Sequence, residues 1–187
     1  GLFKGLRNAL PNDTVVTLDA GTMCLQLTDA LHYHQPKSLF SPLDFGLVGF
    51  SYPAGLGIKL AAPERPVVSF HGDGGMSMVL PEISTAVENN INTVCVVMNN
   101  GTWGAEAAYQ KDFFEGRFIG AHITTPEFDK AAELYGCKGI KVEKAVEIGD
   151  AIQAGIEAEC PTVIDVQCSP DALYSFRQDS FKHKVKQ

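Results

Sequence analysis

The sequence contains no apolar run long enough to cross a membrane. A membrane-spanning helix needs roughly 20 consecutive apolar residues, and no stretch of the 187 residues approaches that length. The early basic residues Lys4 and Arg7 are not followed by the extended apolar segment of a secretory signal. We therefore expect no membrane partner and no export signal.

Cysteine patterns typical of metal sites or disulfide frameworks are also missing. The five cysteines are odd in number and scattered, and no two are separated by only two residues: Cys24, Cys95, Cys137, Cys160 and Cys168. Paired cysteines are expected in small secreted domains, whereas scattered thiols favour a reducing compartment. We interpret them as structural thiols and expect a cytoplasmic protein.

Positive charge is scarce, with 15 Lys and Arg against 22 Asp and Glu and a net charge of -7. Binding to a nucleic-acid backbone requires a basic face, so we predict no nucleic-acid partner. The length and the 45% hydrophobic content suit one globular domain with a core. We place that domain at residues 1–175. A basic tail follows at residues 176–187.

Short apolar runs alternate with amphipathic stretches along the chain. The apolar runs predict strands at residues 14–18, 66–70, 93–98, 139–142 and 162–166. The stretches between them predict helices at residues 52–62, 80–90, 126–135 and 145–157. This alternation predicts an α/β fold, a doubly wound parallel sheet flanked by helices.

The turns after two of these strands carry residues suited to binding a metal and an anion. In such sheets, ligands bind at the carboxyl ends of the strands. The second strand is followed by a glycine-rich turn around Asp73, whose amides can approach an anion closely. The third is followed by Asn99 and Asn100, and amide oxygens are ligands that suit Mg²⁺. Together the two turns predict a magnesium–diphosphate site.

These residues resemble the motif of the thiamine-diphosphate-dependent enzymes, in which Gly-Asp-Gly is followed at a fixed distance by Asn-Asn. From Asp73 to Asn100 there are 100 − 73 = 27 positions, as in the branch of the acetolactate synthases and decarboxylases. The resemblance implies that Asp73, the Asn100 side chain and the Thr102 carbonyl bind Mg²⁺. It also implies that Gly74 and Gly75 donate amides to the diphosphate.

The resemblance extends to further cofactor contacts. The turn after the first strand, with Gly21 and Thr22, is similar to one that lies against the diphosphate. A later segment is similar to one that holds the aminopyrimidine, so that the Gly46 carbonyl would accept from the exocyclic amine. Val48 would hold the cofactor in its bent form. The full expected cofactor set is Gly21, Thr22, Gly46, Val48, Gly72, Gly74, Gly75, Trp103 and Gly104.

The resemblance covers only one of the three domains usual in that family. Its enzymes use a glutamate from a separate pyrimidine-binding domain to activate the cofactor, and no residue of this chain can be assigned that role. Glu82 follows the diphosphate turn and is interpreted as a surface or packing residue. The resemblance therefore implies an oligomeric assembly with a pyrimidine-binding domain or subunit. It also implies that this chain alone is inactive.

Three segments resemble the sulfoacetaldehyde acetyltransferases, which convert sulfoacetaldehyde and phosphate to acetyl phosphate and sulfite. They are residues 99–106, 114–120 and 176–179. Arg117 and Arg177 are candidate ligands for the anionic substrates, because arginine suits tetrahedral oxyanions. Three alternatives stay open: an acetolactate synthase, one subunit of a split sulfopyruvate or phosphonopyruvate decarboxylase, and a non-catalytic cofactor-binding module.

Overall fold

The computed structural model describes residues 2–42 and 44–173, and within them six parallel strands form one sheet. The strand order is β2-β1-β3-β4-β6-β5. The strands are β1 Val15–Leu18, β2 Leu39–Phe40, β3 Val67–Gly72, β4 Val94–Asn99, β5 Lys138–Val142 and β6 Thr162–Gln167. The predicted α/β fold with a parallel sheet is confirmed.

Helices connect the strands on both faces of the sheet. They are α1 Leu2–Ala9, α2 Thr22–Ala30, α3 Ser51–Ala61, α4 Asp73–Val79, α5 Glu82–Glu88, α6 Gly104–Phe113, α7 Phe128–Tyr135 and α8 Ile148–Ile156. A 3₁₀ turn, Ala145–Glu147, precedes α8. Within the described part of the chain, no helix combines the length and apolar character of a membrane span.

The predicted helices are found with shifted ends. The helix predicted at residues 145–157 is divided into the 3₁₀ turn and α8. Helix α7 ends at Tyr135, and Gly136 caps it with a left-handed φ of 88°. Strand β2 and helices α1, α2, α4 and α6 were not predicted.

Successive side chains of the strands point to opposite faces of the sheet, so a hydrophobic core forms on each face. Val96 and Ile164 face one side, where α1, α2 and α8 cover them. Cys95 and Val163 face the other side, where α3, α5 and α7 cover them. The sheet is therefore doubly wound, and its central strands are apolar throughout because both of their faces are buried.

The direction in which successive strands are added to the sheet reverses between β1 and β3. The connection through α2 leads from β1 to β2 on one side, whereas α4 and α5 lead from β3 to β4 on the other. Such a switch point opens a crevice at the carboxyl ends of the two strands, and ligands of doubly wound sheets bind there.

Candidate functional site

A cavity of about 570 Å³ occupies this crevice. Its walls come mainly from the segments that follow β1, β3 and β4, with further residues from the loop before α3 and the segment after β6. The structure brings every residue of the expected cofactor and metal sets to this wall: Gly21, Thr22, Gly46, Val48, Gly72, Asp73, Gly74, Gly75, Asn100, Thr102, Trp103 and Gly104.

Asp73 presents an unsatisfied carboxylate oxygen at the cavity. It opens α4 directly after β3 and is only 1% exposed. Its Oδ2 is buried and makes no hydrogen bond within the described chain. Burial raises the pKa of Asp73, although the nearby amides of Gly74 and Gly101 oppose the shift. A dry, unpaired carboxylate oxygen is costly, and a bound cation would remove that cost.

The loop after β4 holds Asn100 in a defined orientation. Its Oδ1 accepts hydrogen bonds from Thr102 N at 3.1 Å and from Thr102 Oγ1 at 2.9 Å. Two backbone bonds fix the loop to a neighbouring segment: Trp103 N donates to Ala121 O, and Ile123 N donates to Gly101 O. The amide oxygen that could bind a cation is therefore positioned before any ligand arrives.

The donors present suit a hard cation that keeps few protein ligands. Among the described residues, no group of three His, Cys, Asp or Glu side chains could hold a metal ion. One carboxylate, one amide oxygen and a turn carbonyl need water or phosphate oxygens to complete a coordination shell. Mg²⁺ binds in this way, through few protein ligands and the phosphates of its substrate.

The glycines after Asp73 leave room for close contacts. A Cβ at Gly74 would lie 2.5 Å from the Trp103 ring, and one at Gly75 would collide with Asp19 Oδ2. Trp103 and Asp19 leave space only for glycine at these two positions, and both glycines line the cavity. Amides at the start of a helix have no partner within the helix, so these two can serve an anion.

A second buried carboxylate, Asp19, lies at the end of β1 and lines the cavity. It accepts hydrogen bonds from the amides of Gly49, Phe50 and Ser51 and lies 3.3 Å from His71 Nδ1. Burial alone would raise the pKa of Asp19, but His71 and the amides of Gly49 and Ser51 together lower it. This carboxylate is therefore already satisfied by the protein.

Arg117, one of the two candidate substrate residues, lies outside this constellation. Arg117 is exposed in the turn after α6, where its Nε donates to Phe114 O, and it does not line the cavity. Arg177 and the tail at residues 176–187 lie outside the described residues. Their roles in substrate binding stay predictions.

The structure also adds residues that the sequence did not single out. Asp19, Gln26, Met98 and Cys168 line the cavity. Cys168 follows β6, and its burial raises the pKa of its thiol to about 11, so it is a neutral wall residue. Their positions in the sequence were the available signal: Asp19 directly follows the strand predicted at residues 14–18, and Cys168 lies two residues after the strand predicted at residues 162–166.

Comparison with known proteins identifies the family. Residues 19–166 match the family model described as the thiamine pyrophosphate enzyme, C-terminal TPP binding domain; thiamine pyrophosphate is another name for thiamine diphosphate. The chain belongs to this family. The resemblance drawn from Asp73 and Asn100 is thereby confirmed at the level of the cofactor class. As a thiamine pyrophosphate enzyme C-terminal domain, it is part of an enzyme family.

Named relatives of this thiamine pyrophosphate domain carry different activities. Sulfoacetaldehyde acetyltransferase of Castellaniella defragrans is 32% identical over 99% of this chain and 32% of its own length. A probable acetolactate synthase large subunit of Methanococcus aeolicus is 30% identical over 87% of the chain and 27% of its own length.

Among solved structures, a thiamine diphosphate-dependent 4-hydroxybenzoylformate decarboxylase from Rhodococcus jostii RHA1 matches with a TM-score of 0.82 and 29% identity. The match covers 91% of this chain and 32% of that one. The chain therefore spans about a third of the length of the relatives it matches.

Proposed function

We propose that this chain is the diphosphate- and Mg²⁺-binding part of an enzyme that cleaves and forms C–C bonds with thiamine diphosphate. The observation that carries the proposal is the unpaired, buried Oδ2 of Asp73, which lies on the same cavity wall as Asn100. In this assignment Asp73, the Asn100 side chain and the Thr102 carbonyl bind Mg²⁺.

The diphosphate binds against the glycine turn and the two adjacent helix starts. The amides of Gly74 and Gly75 donate to it, and the Trp103 ring packs over Gly74, which limits access of water to that side. Gly104 opens α6 and Thr22 opens α2 on the same wall. A Cβ at Gly104 would lie 3.7 Å from Thr22 Oγ1, so the two helix starts adjoin each other.

The aminopyrimidine is assigned to the loop before α3. The Gly46 carbonyl would accept a hydrogen bond from its exocyclic amine, and Val48 would support the bent form of the cofactor. Both residues line the cavity, as does Gly72 at the end of β3. The bound cofactor supplies an electron sink for the reacting carbonyl carbon. The chain supplies position, a metal site and shelter from water.

A pyrimidine-binding domain or subunit completes the site in this proposal. The loop that carries Gly46 exposes apolar side chains, with Phe45 87% and Leu47 49% exposed, and Met78 of α4 is 62% exposed. Exposed apolar groups next to a cavity are typical of interaction surfaces. We propose that this surface packs against the pyrimidine-binding domain in an oligomer. The chain alone then lacks the activating glutamate and is inactive.

The proposed reaction is that of a sulfoacetaldehyde acetyltransferase, with Arg117 and Arg177 binding sulfonate or phosphate. Its support is a similarity to such an enzyme that covers 99% of the chain. Arginines offset the repulsion that a net charge of -7 exerts on anionic substrates. The scattered thiols, of which four are free in the described chain, favour a cytoplasmic location.

The acetolactate synthase alternative is favoured by a specific observation, the 30% identity to such a subunit over 87% of the chain. A split decarboxylase remains a further candidate. Each predicts a different product from a different substrate, so one set of assays separates them. A non-catalytic module would bind the cofactor and turn over none of these substrates.

The test uses the chain assembled with its pyrimidine-binding domain, Mg²⁺ and thiamine diphosphate. With sulfoacetaldehyde and phosphate, we expect equal amounts of sulfite and acetyl phosphate, and no product from the chain alone. Arg177→Ala should raise KM for the anionic substrates roughly tenfold to hundredfold, as expected for a lost charge-assisted hydrogen bond. Acetolactate from pyruvate, with no sulfite from sulfoacetaldehyde, would transfer the assignment to the acetolactate synthases.

A further inference from the structure

A buried histidine and a buried aspartate together hold the start of α3. Tyr52 N donates to His71 Nε2 at 2.7 Å, and His71 Nδ1 lies 3.3 Å from Asp19 Oδ2. The His71 side chain is 0% exposed and that of Asp19 2%. His71 comes from β3 and Asp19 follows β1, so the pair joins two strands to a helix.

Asp19 accepts hydrogen bonds from the three backbone amides that precede Tyr52 in the chain. Its Oδ2 accepts from Gly49 N at 3.1 Å, and its Oδ1 accepts from Phe50 N at 2.7 Å and Ser51 N at 3.2 Å. With Tyr52, the amides of residues 49–52 all donate to the two side chains. The free amides at the start of a helix are positively polarised, so they stabilise the Asp19 carboxylate without a cation.

These amides are the anchor of residues 46–48, the segment assigned to the aminopyrimidine. Gly49 follows Val48 directly and has a φ of +84°, which few residues other than glycine adopt. A Cβ at Gly49 would also lie 3.0 Å from Val79. On its other side the segment is fixed by Gly46 N, which donates to Pro42 O. Its position therefore depends on what holds Gly49.

We propose that His71 and Asp19 are positioning residues that fix residues 46–48 for recognition of the aminopyrimidine. The inference rests on the proposed function, because that function assigns the pyrimidine to Gly46 and Val48. Asp19 itself lines the cavity, but the pair reaches residues 46–48 only through the backbone of residues 49–52. Loss of His71 therefore weakens binding of the whole cofactor and leaves binding of its diphosphate nearly unchanged.

The hydrogen bond from Tyr52 fixes the tautomer of His71. A ring nitrogen that accepts from a backbone N–H carries no proton, so the neutral ring has its proton on Nδ1, toward Asp19. Two substitutions separate these contacts. The amide nitrogen of His71→Asn can take the place of Nδ1, which lies 3.3 Å from Asp19 Oδ2. The amide oxygen of His71→Gln can replace Nε2 as acceptor from Tyr52.

A neighbouring hydroxyl cluster provides a matched control for stability. Thr17 Oγ1 donates to Ser69 Oγ at 2.8 Å and lies 2.9 Å from Ser51 Oγ, beneath the start of the same helix. Ser69 and His71 lie on the same strand, and both side chains are buried. Ser69→Ala removes a buried hydrogen bond beneath α3 and leaves the amide contacts of residues 49–52 in place.

The experiment measures two affinities by calorimetry in the assembled enzyme with Mg²⁺, one for thiamine diphosphate and one for inorganic diphosphate. We expect His71→Ala to raise the Kd for thiamine diphosphate about tenfold, as for one to two lost hydrogen bonds. The Kd for inorganic diphosphate should stay within about twofold. His71→Asn and His71→Gln should each recover part of the loss, and Ser69→Ala should leave both affinities within about twofold.

The outcomes separate this inference from the proposed function. A wild-type enzyme that fails to bind thiamine diphosphate contradicts the proposed function itself. If the wild type binds and His71→Ala weakens both ligands equally, His71 supports the fold or the diphosphate turn, and the positioning role is wrong. The positioning role is equally wrong if His71→Ala changes neither affinity, or if Ser69→Ala reproduces the selective loss.

Discussion

Two aspartates at the ends of adjacent strands, Asp19 after β1 and Asp73 after β3, have opposite environments. Both are buried and both line the cavity. Asp19 accepts hydrogen bonds from three backbone amides and faces His71, and these contacts lower its pKa. Asp73 keeps an unpaired Oδ2, and its pKa is raised by burial. The protein satisfies both oxygens of Asp19, whereas one oxygen of Asp73 has no hydrogen-bond partner among the described residues.

This difference separates a structural contribution from a functional one. A satisfied carboxylate stabilises the fold, whereas a buried unpaired oxygen costs free energy. Groups that cost stability are expected mainly at functional sites. The different environments of Asp19 and Asp73 therefore predict different consequences of substituting the two residues.

The largest expected effect is the loss of cofactor binding in Asp73→Ala. Without its single anionic ligand the metal binds poorly, and the diphosphate charge is left uncompensated. We expect thiamine diphosphate affinity in the assembled enzyme to fall by about a hundredfold or more. Isothermal titration calorimetry with Mg²⁺ measures it. Asp150→Ala, an exposed acid on α8, is the control and should bind normally. Unchanged affinity in the Asp73 variant would refute its assignment as a ligand.

The next effect concerns the free energy of unfolding, for which we expect Asp19 to matter more than Asp73. Asp19→Asn places an amide group among N–H donors and should lower the free energy of unfolding by about 2–3 kcal/mol. Asp73→Asn neutralises a buried carboxylate whose Oδ2 has no hydrogen bond, so the free energy of unfolding should change by less than about 0.5 kcal/mol, or rise. Urea denaturation of the chain without cofactor tests both. Equal losses of unfolding free energy in the two variants would contradict the different roles assigned to Asp19 and Asp73.

A smaller effect is expected at Gly75, which lies in the turn after Asp73 and packs against Asp19. A Cβ there collides with Asp19 Oδ2, so Gly75→Ala should destabilise the chain by about 1–3 kcal/mol through displaced packing. The matched control is Gly57→Ala in α3, where a Cβ meets nothing within 4 Å. Alanine in that helix should stabilise by about 0.5–1 kcal/mol. Thermal denaturation of both variants measures the contrast, and a neutral Gly75→Ala would contradict the close packing.

The smallest effect is the pH dependence of stability, which should have opposite signs at the two sites. The folded pKa of Asp19 lies below the unfolded value of about 3.9. Its contribution is therefore full above that pH and is lost as pH falls through the folded pKa. For Asp73 the folded pKa is raised, so its penalty appears as pH rises through the folded pKa.

Urea titrations between about pH 3 and pH 7 measure this dependence. The deficit of Asp19→Asn relative to wild type should shrink in acid, because the wild type loses the contribution of its carboxylate there. Any advantage of Asp73→Asn should also disappear in acid, because the wild-type carboxyl is then neutral. Differences independent of pH would contradict both assignments.

The sequence predicts the central strands and the two turns because their patterns are local. Strands β3 and β4 are buried on both faces and therefore apolar, and Asp73 and Asn100 follow them directly. Strand β2 has only two residues, too few to show a period. Helix α4 begins within a glycine-rich turn, and glycine disfavours helices.

The pairing of Asp19 with His71 could not be predicted in the same way. The two residues are far apart in sequence, and their contact follows from the parallel register of β1 and β3, in which Leu18 pairs with Phe70. That register is a tertiary property of the sheet. The sequence shows a polar residue at each strand end, but not which of the two aspartates the protein itself satisfies.

The most direct test of the central claim is a structure of the assembled enzyme with Mg²⁺ and thiamine diphosphate. Our account predicts one Mg²⁺ at about 2.0–2.1 Å from Asp73 Oδ2, Asn100 Oδ1 and the Thr102 carbonyl, with the diphosphate at the amides of Gly74 and Gly75. Asp19 should keep its contacts to the start of α3 unchanged. A metal bound through Asp19, or a diphosphate bound away from the turn after β3, would contradict it.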